Sequence, residues 1–335
     1  MPHKTPSWWY GKGGGIAAAL SLPAALYGRV AGSRMARDPA YRSRLPVICI
    51  GNFTAGGGGK TPTAIAVAAL LTAQDRRPAF LTRGYGGTAK GVVRVGTQGA
   101  DVVGDEPLLL AAVAPTFVSA DRGAGAKAIE ATDADVIVMD DGFQNPALAK
   151  DLSVIVVDAA SGLGNGKVFP AGPLRAPLPT QLAHADALVV IGEGKKADGV
   201  AADFTRAGKP VLRAKILPNC DARWLSVLPV IGFAGVARPN KVFATLKSNG
   251  ARLIASHGYP DHHRFTEAQA KALLKEADEK SAMLVTTEKD WARLPGDDAE
   301  SALAELKHRA RPFPILVRFE DEEKAKDLLS AAVTR

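Results

Sequence analysis

The chain predicts an α/β fold: a layered domain with a mostly parallel sheet, a second, smaller α/β domain after it, and a helical segment in front. Three observations carry this expectation. Short runs that are apolar nearly throughout recur from residue 46 onward, as strands buried on both faces of a parallel sheet should. Helical stretches separate many of these runs. One strand–turn–helix unit encloses four consecutive glycines in "TAGGGGKTP" (54–62).

The front segment, "SWWYGKGGGIAAALSLPAALYGRVAGSRMAR" (7–37), allows three readings. Its stretch from Gly15 to Leu26 resembles the apolar core of a signal peptide. A second reading is a helix packed on the protein's own core. The favoured one is a helix lying in a membrane interface, with Trp8, Trp9 and Tyr10 at headgroup level and the following arginines facing acidic lipid. Pro23 and Arg29 interrupt the run, so the roughly 20 apolar residues of a spanning helix are missing. The charge of this front suits an anionic membrane surface, a nucleic acid or an acidic substrate alike. Of a formal net charge of +8, residues 1–50 hold Lys4, Lys12, Arg29, Arg34, Arg37, Arg42 and Arg44 against Asp38 alone, a net +6. The two cysteines, Cys49 and Cys220, have no disulfide or metal spacing and read as reduced thiols.

"PVICIG" (46–51) is the first strand and "TPTAIAVAALLTAQ" (61–74) the helix after the glycines, with proline in its first turn. "RPAFLTR" (77–83), "TFVSA" (116–120), "DVIVMDD" (135–141), "LSVIVVD" (152–158) and "DALVVIG" (186–192) repeat the strand signal. "DEPLLLAAVA" and "GAGAKAIEAT" supply intervening helices. A linker is expected in "RAKILPNCDARWLSVLPVIGF" (213–233), followed by a smaller strand–helix unit. There "FPILVRFE" (313–320) is a strand returning toward the linker. The expected divisions are a membrane-associated segment 1–44, a phosphate-loop domain 45–225 and a smaller α/β domain 226–335.

A glycine-rich turn between strand and helix points backbone N–H groups at phosphate. Thr54, Ala55 and Gly56 to Gly59 (Gly56, Gly57, Gly58, Gly59) are the candidate cradle. Lys60 supplies charge for the β- and γ-phosphates, and Thr61 a hydroxyl for Mg²⁺. Thr54 stands where the usual pattern has glycine, but GGGGKT is intact. The domain is therefore expected to be P-loop NTPase-like, binding a nucleoside triphosphate with Mg²⁺. A site consuming ATP belongs in the cytosol, against the signal peptide. The partner acids are Asp140 and Asp141, ending an apolar strand; because side chains alternate, one should reach the metal and the other orient a loop. Arg83 and Tyr85 follow the second strand, on the edge where such folds bind substrate. Asp105 and Glu106 open a helix, and Arg122 is placed to pair with a transferring phosphate.

Eight stretches in this order, "GNFTAGGGGKTP", "TRGYGG", "GDEP", "DDGFQ", "FPAGPLR", "FAGVARP", "DHHRF" and "TTEKD", make residues 45–295 similar to the tetraacyldisaccharide 4′-kinases of lipid A synthesis. The resemblance implies transfer of the γ-phosphoryl group of ATP to the 4′-hydroxyl of a lipid A disaccharide 1-phosphate, by a peripheral protein at the cytoplasmic face of the bacterial inner membrane. It implies Asp105 as base with His262 as its partner, His263 being the rival, and substrate contacts from Gln144 and Arg175 beside Arg83 and Tyr85. Two residues depart from the family pattern: Ala176 where a carboxylate often follows "LR", and Asn145 where histidine often follows "DDGFQ". A partitioning-type membrane ATPase would carry a signature lysine where Ala55 stands. "TEKD" has the letters of a guanine-reading motif in the wrong order. A basic, aromatic front could stack nucleic-acid bases, but no recognition element accompanies it, and no obligatory protein partner is evident.

Overall fold

A computed structural model describes residues 6–11, 14–56, 58–295 and 300–334. Lys4, Lys12 and Gly57, which figure in the expectations above, lie outside these described residues. In chain order the strands of the first domain are β1 (Val47–Gly51), β2 (Pro78–Thr82), β3 (Val92–Arg94), β4 (Thr116–Ser119), β5 (Val136–Asp140), β6 (Leu152–Asp158), β7 (Ala187–Ile191) and β8 (Val211–Pro218). Then come β9 (Val230–Ala234), β10 (Leu253–Gly258), β11 (Met283–Thr287), β12 (Arg311–Phe313) and β13 (Ile315–Phe319).

Nine strands make one sheet in the order β13-β8-β7-β6-β1-β5-β2-β4-β3, parallel except at the two edge pairs β13–β8 and β4–β3. The second sheet, β10-β9-β11-β12, is parallel throughout. The expected parallel, two-faced sheet is thus present, and its cause is visible in β1. Ile48 and Ile50 point to one face, against the helix Lys60–Thr72, while Cys49 points to the other, beside Met139 and Phe143. Both faces are apolar, so the strand cannot alternate with polar residues. Cys49 is buried, Cys220 exposed, and both are free thiols.

Two boundaries differ from expectation, and one edge strand was not expected. The stretch read as a linker begins as β8, because Leu212 and Ala214 fill the core beneath β7. The strand at 313–320 does return, as β13, but it and the helix Glu322–Val333 join the large sheet rather than the smaller domain. Val317, Phe319, Ala325 and Leu329 pack in the same apolar cluster as Val67 and Leu71 of the helix after the glycines. The smaller sheet is therefore inserted between two paired strands of the larger one. The short exposed edge strand β3 has no sequence signal of its own.

At the front, the helices Gly14–Ala19 and Ser21–Met35 lie against the first domain through small residues: Ala17 and Ala24 are buried, and Gly28 meets Val168 and Pro177. Met35 at the end of the second helix joins the core, but most of the other large apolar side chains face outward. Leu22 and Val30 are each 71% exposed, with Ile16, Leu26 and Tyr27 beside them. No helix among the described residues is long and apolar enough to cross a membrane. Two of the three aromatic residues, Trp9 and Tyr10, are not where they were expected. Trp9 is buried, its ring edge-on to Phe169 and its indole N–H donating to the Pro170 carbonyl at 3.1 Å, and the Tyr10 ring covers the Arg238 guanidinium. Aromatic rings at a chain end suit a protein surface as well as a headgroup layer, and here they fill the protein's own groove.

Candidate active site

The glycine-rich turn leaves β1 at the carboxyl edge of the large sheet, where open α/β sheets bind ligands. Gly59 starts the helix with φ 87°, and a Cβ there would meet Ile191 Cδ1 at 2.8 Å, so the turn needs glycine. Thr54 and Ala55 hold the turn in place: the Ala55 amide donates to the Pro173 carbonyl at 2.7 Å, and the Thr54 carbonyl accepts from Arg175 Nε at 3.1 Å. Arg175 and the segment around it thus brace the loop.

The two acids behind the loop divide as alternation requires. Asp140 turns inward, its Oδ2 accepting from Thr61 Oγ1 at 3.0 Å, while its buried Oδ1 has no hydrogen-bond partner. Burial, with the charges of Glu106 and Asp141, pushes the Asp140 carboxyl up to about 7 despite Lys60 and Thr61. Asp141, at φ 53°, is gripped by Arg175 through two bonds of 2.8 and 3.2 Å and lies 3.8 Å from Lys60 Nζ. Burial would raise its carboxyl too, but Lys60 and Arg175 hold it down at about 2. Asp141 therefore faces cations of its own chain, and only Asp140 keeps a free oxygen. Gln144, expected at the acceptor, instead spends both amide hydrogens on the Asn52 carbonyl and Gln181 Oε1, because the Gly142 turn folds it under the loop. Arg122 opens the helix Arg122–Glu130 and is buried at 2% exposure, bonded to the Ser119 carbonyl with its Nε unpartnered. Arg83 is exposed beyond β2.

Across the cleft, the second domain reaches Asp105. This carboxylate is 4% exposed. Its Oδ1 lies 3.4 Å from His262 Nδ1, a charge contact that a shift of a few tenths of an ångström would tighten into a hydrogen bond. Its Oδ2 accepts from Arg293 Nε at 3.0 Å and Nη2 at 2.6 Å. Burial alone would raise this carboxyl, but His262, Arg293 and Lys289 together hold it well below the usual range. His262 is pushed up in turn, mainly by Asp105, against the effect of burial. The Tyr85 ring packs on the imidazole at 5.1 Å. The rival His263 is turned into its own domain, bonded to Gln269 and stacked on Tyr259.

Arg293 and Lys289 were not legible as site residues. Both come from the helix Glu288–Arg293, one turn apart, and pair with the adjacent acids Asp105 and Glu106. The signal in sequence was there, a lysine and an arginine at i and i+4 beside "TTEKD" facing the successive acids of "GDE", but nothing linear connects the two. The same helix separates two cavities. One, of about 550 Å³, is lined by Asp105, His262, Tyr85, Arg264, Arg293 and Lys307. The other, of about 220 Å³, lies between Gly58 and Gly59 and the apolar side chains of Ile216, Val242, Phe313 and Ile315. A phosphate loop beside one apolar cavity, with a carboxylate–imidazole pair lining another, is suited to phosphoryl transfer onto an alcohol.

The comparisons with known proteins agree with this geometry. The family model described as LpxK, tetraacyldisaccharide-1-P 4′-kinase, matches residues 16–334. A tetraacyldisaccharide 4′-kinase of Methylobacterium nodulans is 48% identical over 319 residues, 94% of each chain. One of a Bradyrhizobium species is 45% identical over 331 residues, 98% of this chain and 95% of that one. The crystal structure of LpxK from Aquifex aeolicus in complex with ATP superposes with a TM-score of 0.72 at 26% identity, covering 95% of this chain and 99% of the other. On these matches and this fold, the chain belongs to the tetraacyldisaccharide-1-P 4′-kinase family.

Proposed function

We propose that the protein transfers the γ-phosphoryl group of ATP to the 4′-hydroxyl of tetraacyldisaccharide 1-phosphate at the cytoplasmic face of the inner membrane. The observation that carries this reading is the meeting of Asp105 and His262, one from each domain, beside a glycine-rich phosphate loop. Backbone amides of Gly56, Gly58 and Gly59 with the Lys60 side chain hold the triphosphate, and the apolar 220 Å³ cavity takes the base. Asp105 and His262 receive the hydroxyl proton, and Tyr85, packed on the imidazole, helps to place the sugar. Arg122 stands within the electrostatic reach of Asp140 and Asp141, with one buried N–H to offer a phosphate oxygen.

The residues fit a magnesium ion. The free buried oxygen of Asp140 beside the Thr61 hydroxyl is the donor set a small hard cation takes. Among the described residues no three His, Cys, Asp or Glu side chains converge to bind a metal alone. Phosphate and water would complete the shell, as is usual for this ion. Held there, it would neutralise charge on the transferring phosphates. Membrane contact is assigned to the outward stripe of Leu22, Leu26, Tyr27 and Val30, with the basic residues of the segment facing anionic lipid.

The test is incubation with γ-labelled ATP and the lipid disaccharide 1-phosphate in detergent micelles. Label should move to the lipid, and Lys60→Ala should abolish transfer in a protein with unchanged circular dichroism. Full activity in that folded variant would sink the nucleotide-site reading.

A further inference from the structure

Arg293 is one of the most fully committed cations in the molecule. Its side chain is 7% exposed. Nη1 is anchored in its own domain, donating to the Gly235 carbonyl at 2.9 Å and to Asp290 Oδ1 at 2.8 Å. Asp290, fully buried, also accepts from the Gly235 amide at 2.9 Å and is bonded to Thr287, so the anchor is itself fixed. The remaining edge of the guanidinium, Nε and Nη2, crosses the cleft to a single oxygen of Asp105. The result is a buried chain of alternating charge, Asp290–Arg293–Asp105–His262, running from the core of one domain to the wall of the 550 Å³ cavity.

This arrangement bears on how the Asp105–His262 pair is held in place. With Oδ2 held by two N–H donors and Oδ1 against His262 Nδ1, Asp105 has little of its surface left for a substrate. The imidazole, 31% exposed, ends the chain in the cavity. A neutral imidazole that donates from Nδ1 has its lone pair on Nε2. The neighbour of that nitrogen is Asp261 Oδ2, 3.9 Å away. We infer that Arg293 is a positioning residue for the transfer: it pins Asp105 so that the carboxylate holds the His262 imidazole in place for the acceptor. In the step, the O–H bond of the alcohol breaks with its proton passing to Nε2. The oxygen bonds the γ-phosphorus, and the bond to the β–γ bridging oxygen breaks, leaving ADP. This rests on the assignment of Asp105 and His262 to the reaction, with the imidazole as the group that takes the proton.

The charged groups around the pair are known. Asp105 and Asp261 face the imidazole with the Tyr85 ring, and Arg293 opposes its protonation. Lys289, Glu106 and Asp290 surround Asp105, while Asp101, Arg264 and Lys307 line the cavity beyond. Removing the Arg293 charge should therefore make His262 easier to protonate. In Arg293→Gln, kcat should fall about 10- to 100-fold, the cost of misplacing a reacting group, with KM for ATP nearly unchanged. The acidic limb of kcat should move to higher pH, and Arg293→Lys should recover part of the loss. Wild-type kcat in folded Arg293→Gln, or an unmoved limb with a raised KM for ATP, would overturn the inference. Should Arg293→Gln fail to fold, ¹⁵N-histidine spectra of the wild-type chain, with His262→Gln to assign the signal, decide the matter. Neutral His262 should carry its proton on Nδ1, and a dominant Nε2–H tautomer would refute the role. Loss of activity in Asp105→Asn and His262→Gln with none in Arg293→Gln defeats the inference alone. Full activity in all three defeats the site assignment beneath it.

Discussion

His262 sits at φ 55°, in the left-handed region, where non-glycine residues are uncommon and histidine is among the better tolerated. The turn throws its ring toward Asp105 while His263, the next residue, packs inward on Tyr259 and Phe265. His262→Ala should therefore lower kcat, and His263→Ala should act on stability, measured by thermal melting, more than on rate. A His263 variant that loses rate while His262→Ala keeps it would reverse the roles. The pair also sets opposing pH demands. The lowered Asp105 carboxyl contributes stability above about pH 4, its ordinary value, which is lost as pH falls toward its lowered one. The raised His262 contributes below about pH 6.5, and that contribution is lost as pH rises through its raised value. Transfer needs the neutral imidazole, so rate should climb over the same range in which this contribution to stability fades. Melting temperature and kcat followed across pH, in wild type and His262→Gln, would show the two trends parting. Position 51 shows how closely the loop is built: a Cβ on Gly51 would stand 2.4 Å from Phe143 Cβ, so Gly51→Ala must push the acid-bearing turn away from β1.

Among the elements, the helix Ser21–Met35 inverts the usual amphipathic logic. Until Met35 at its end, small residues face the protein, and Leu22, Leu26 and Val30, four apart, form a ridge facing out. Water gains nothing from such a ridge, whereas acyl chains would. Replacing Leu26 and Val30 together by glutamate should weaken sedimentation with anionic vesicles. Each side chain is exposed, so each change should leave stability within about 0.5 kcal/mol. Vesicle binding equal to wild type would move the docking surface elsewhere. Much of the sheet was legible because a strand buried on both faces writes a continuous apolar run, and the loop and the Asp140–Asp141 pair were legible because each is contiguous. The helix Glu288–Arg293 was not: it is six residues long, and its partners in the helix Asp105–Ala111 stand 183 and 188 positions earlier in the chain. Trp9 misled for a different reason, since burial in lipid and burial in protein ask for the same ring.

At the scale of the whole molecule, the two domains are joined by more than the chain. Lys289–Glu106 and Arg293–Asp105 cross the cleft as buried or half-buried ion pairs, and Lys241 and Arg238 reach back to Asp158 at the end of β6. Breaking one member of such a pair leaves a buried charge uncompensated, so the cleft is held by chemistry that also serves the site.

The return of the last strand to the first sheet has a consequence for the order in which the protein comes into being. Chains emerge from the ribosome N-terminus first, and domains tend to fold as they appear. Here the loop and its helix Lys60–Thr72 are made early, yet the helix's outer neighbours, β13 and Glu322–Val333, arrive only after an entire second domain has been synthesised. Gln74, just past that helix, waits for Ser330, to which it donates at 2.8 Å. The nascent chain should thus stay incompetent for ATP until the helix Glu322–Val333 has been released. A chain stopped after residue 314 should keep the smaller sheet folded but fail to retain a fluorescent ATP analogue. Wild-type retention by that chain would show that the loop matures without its late-arriving support.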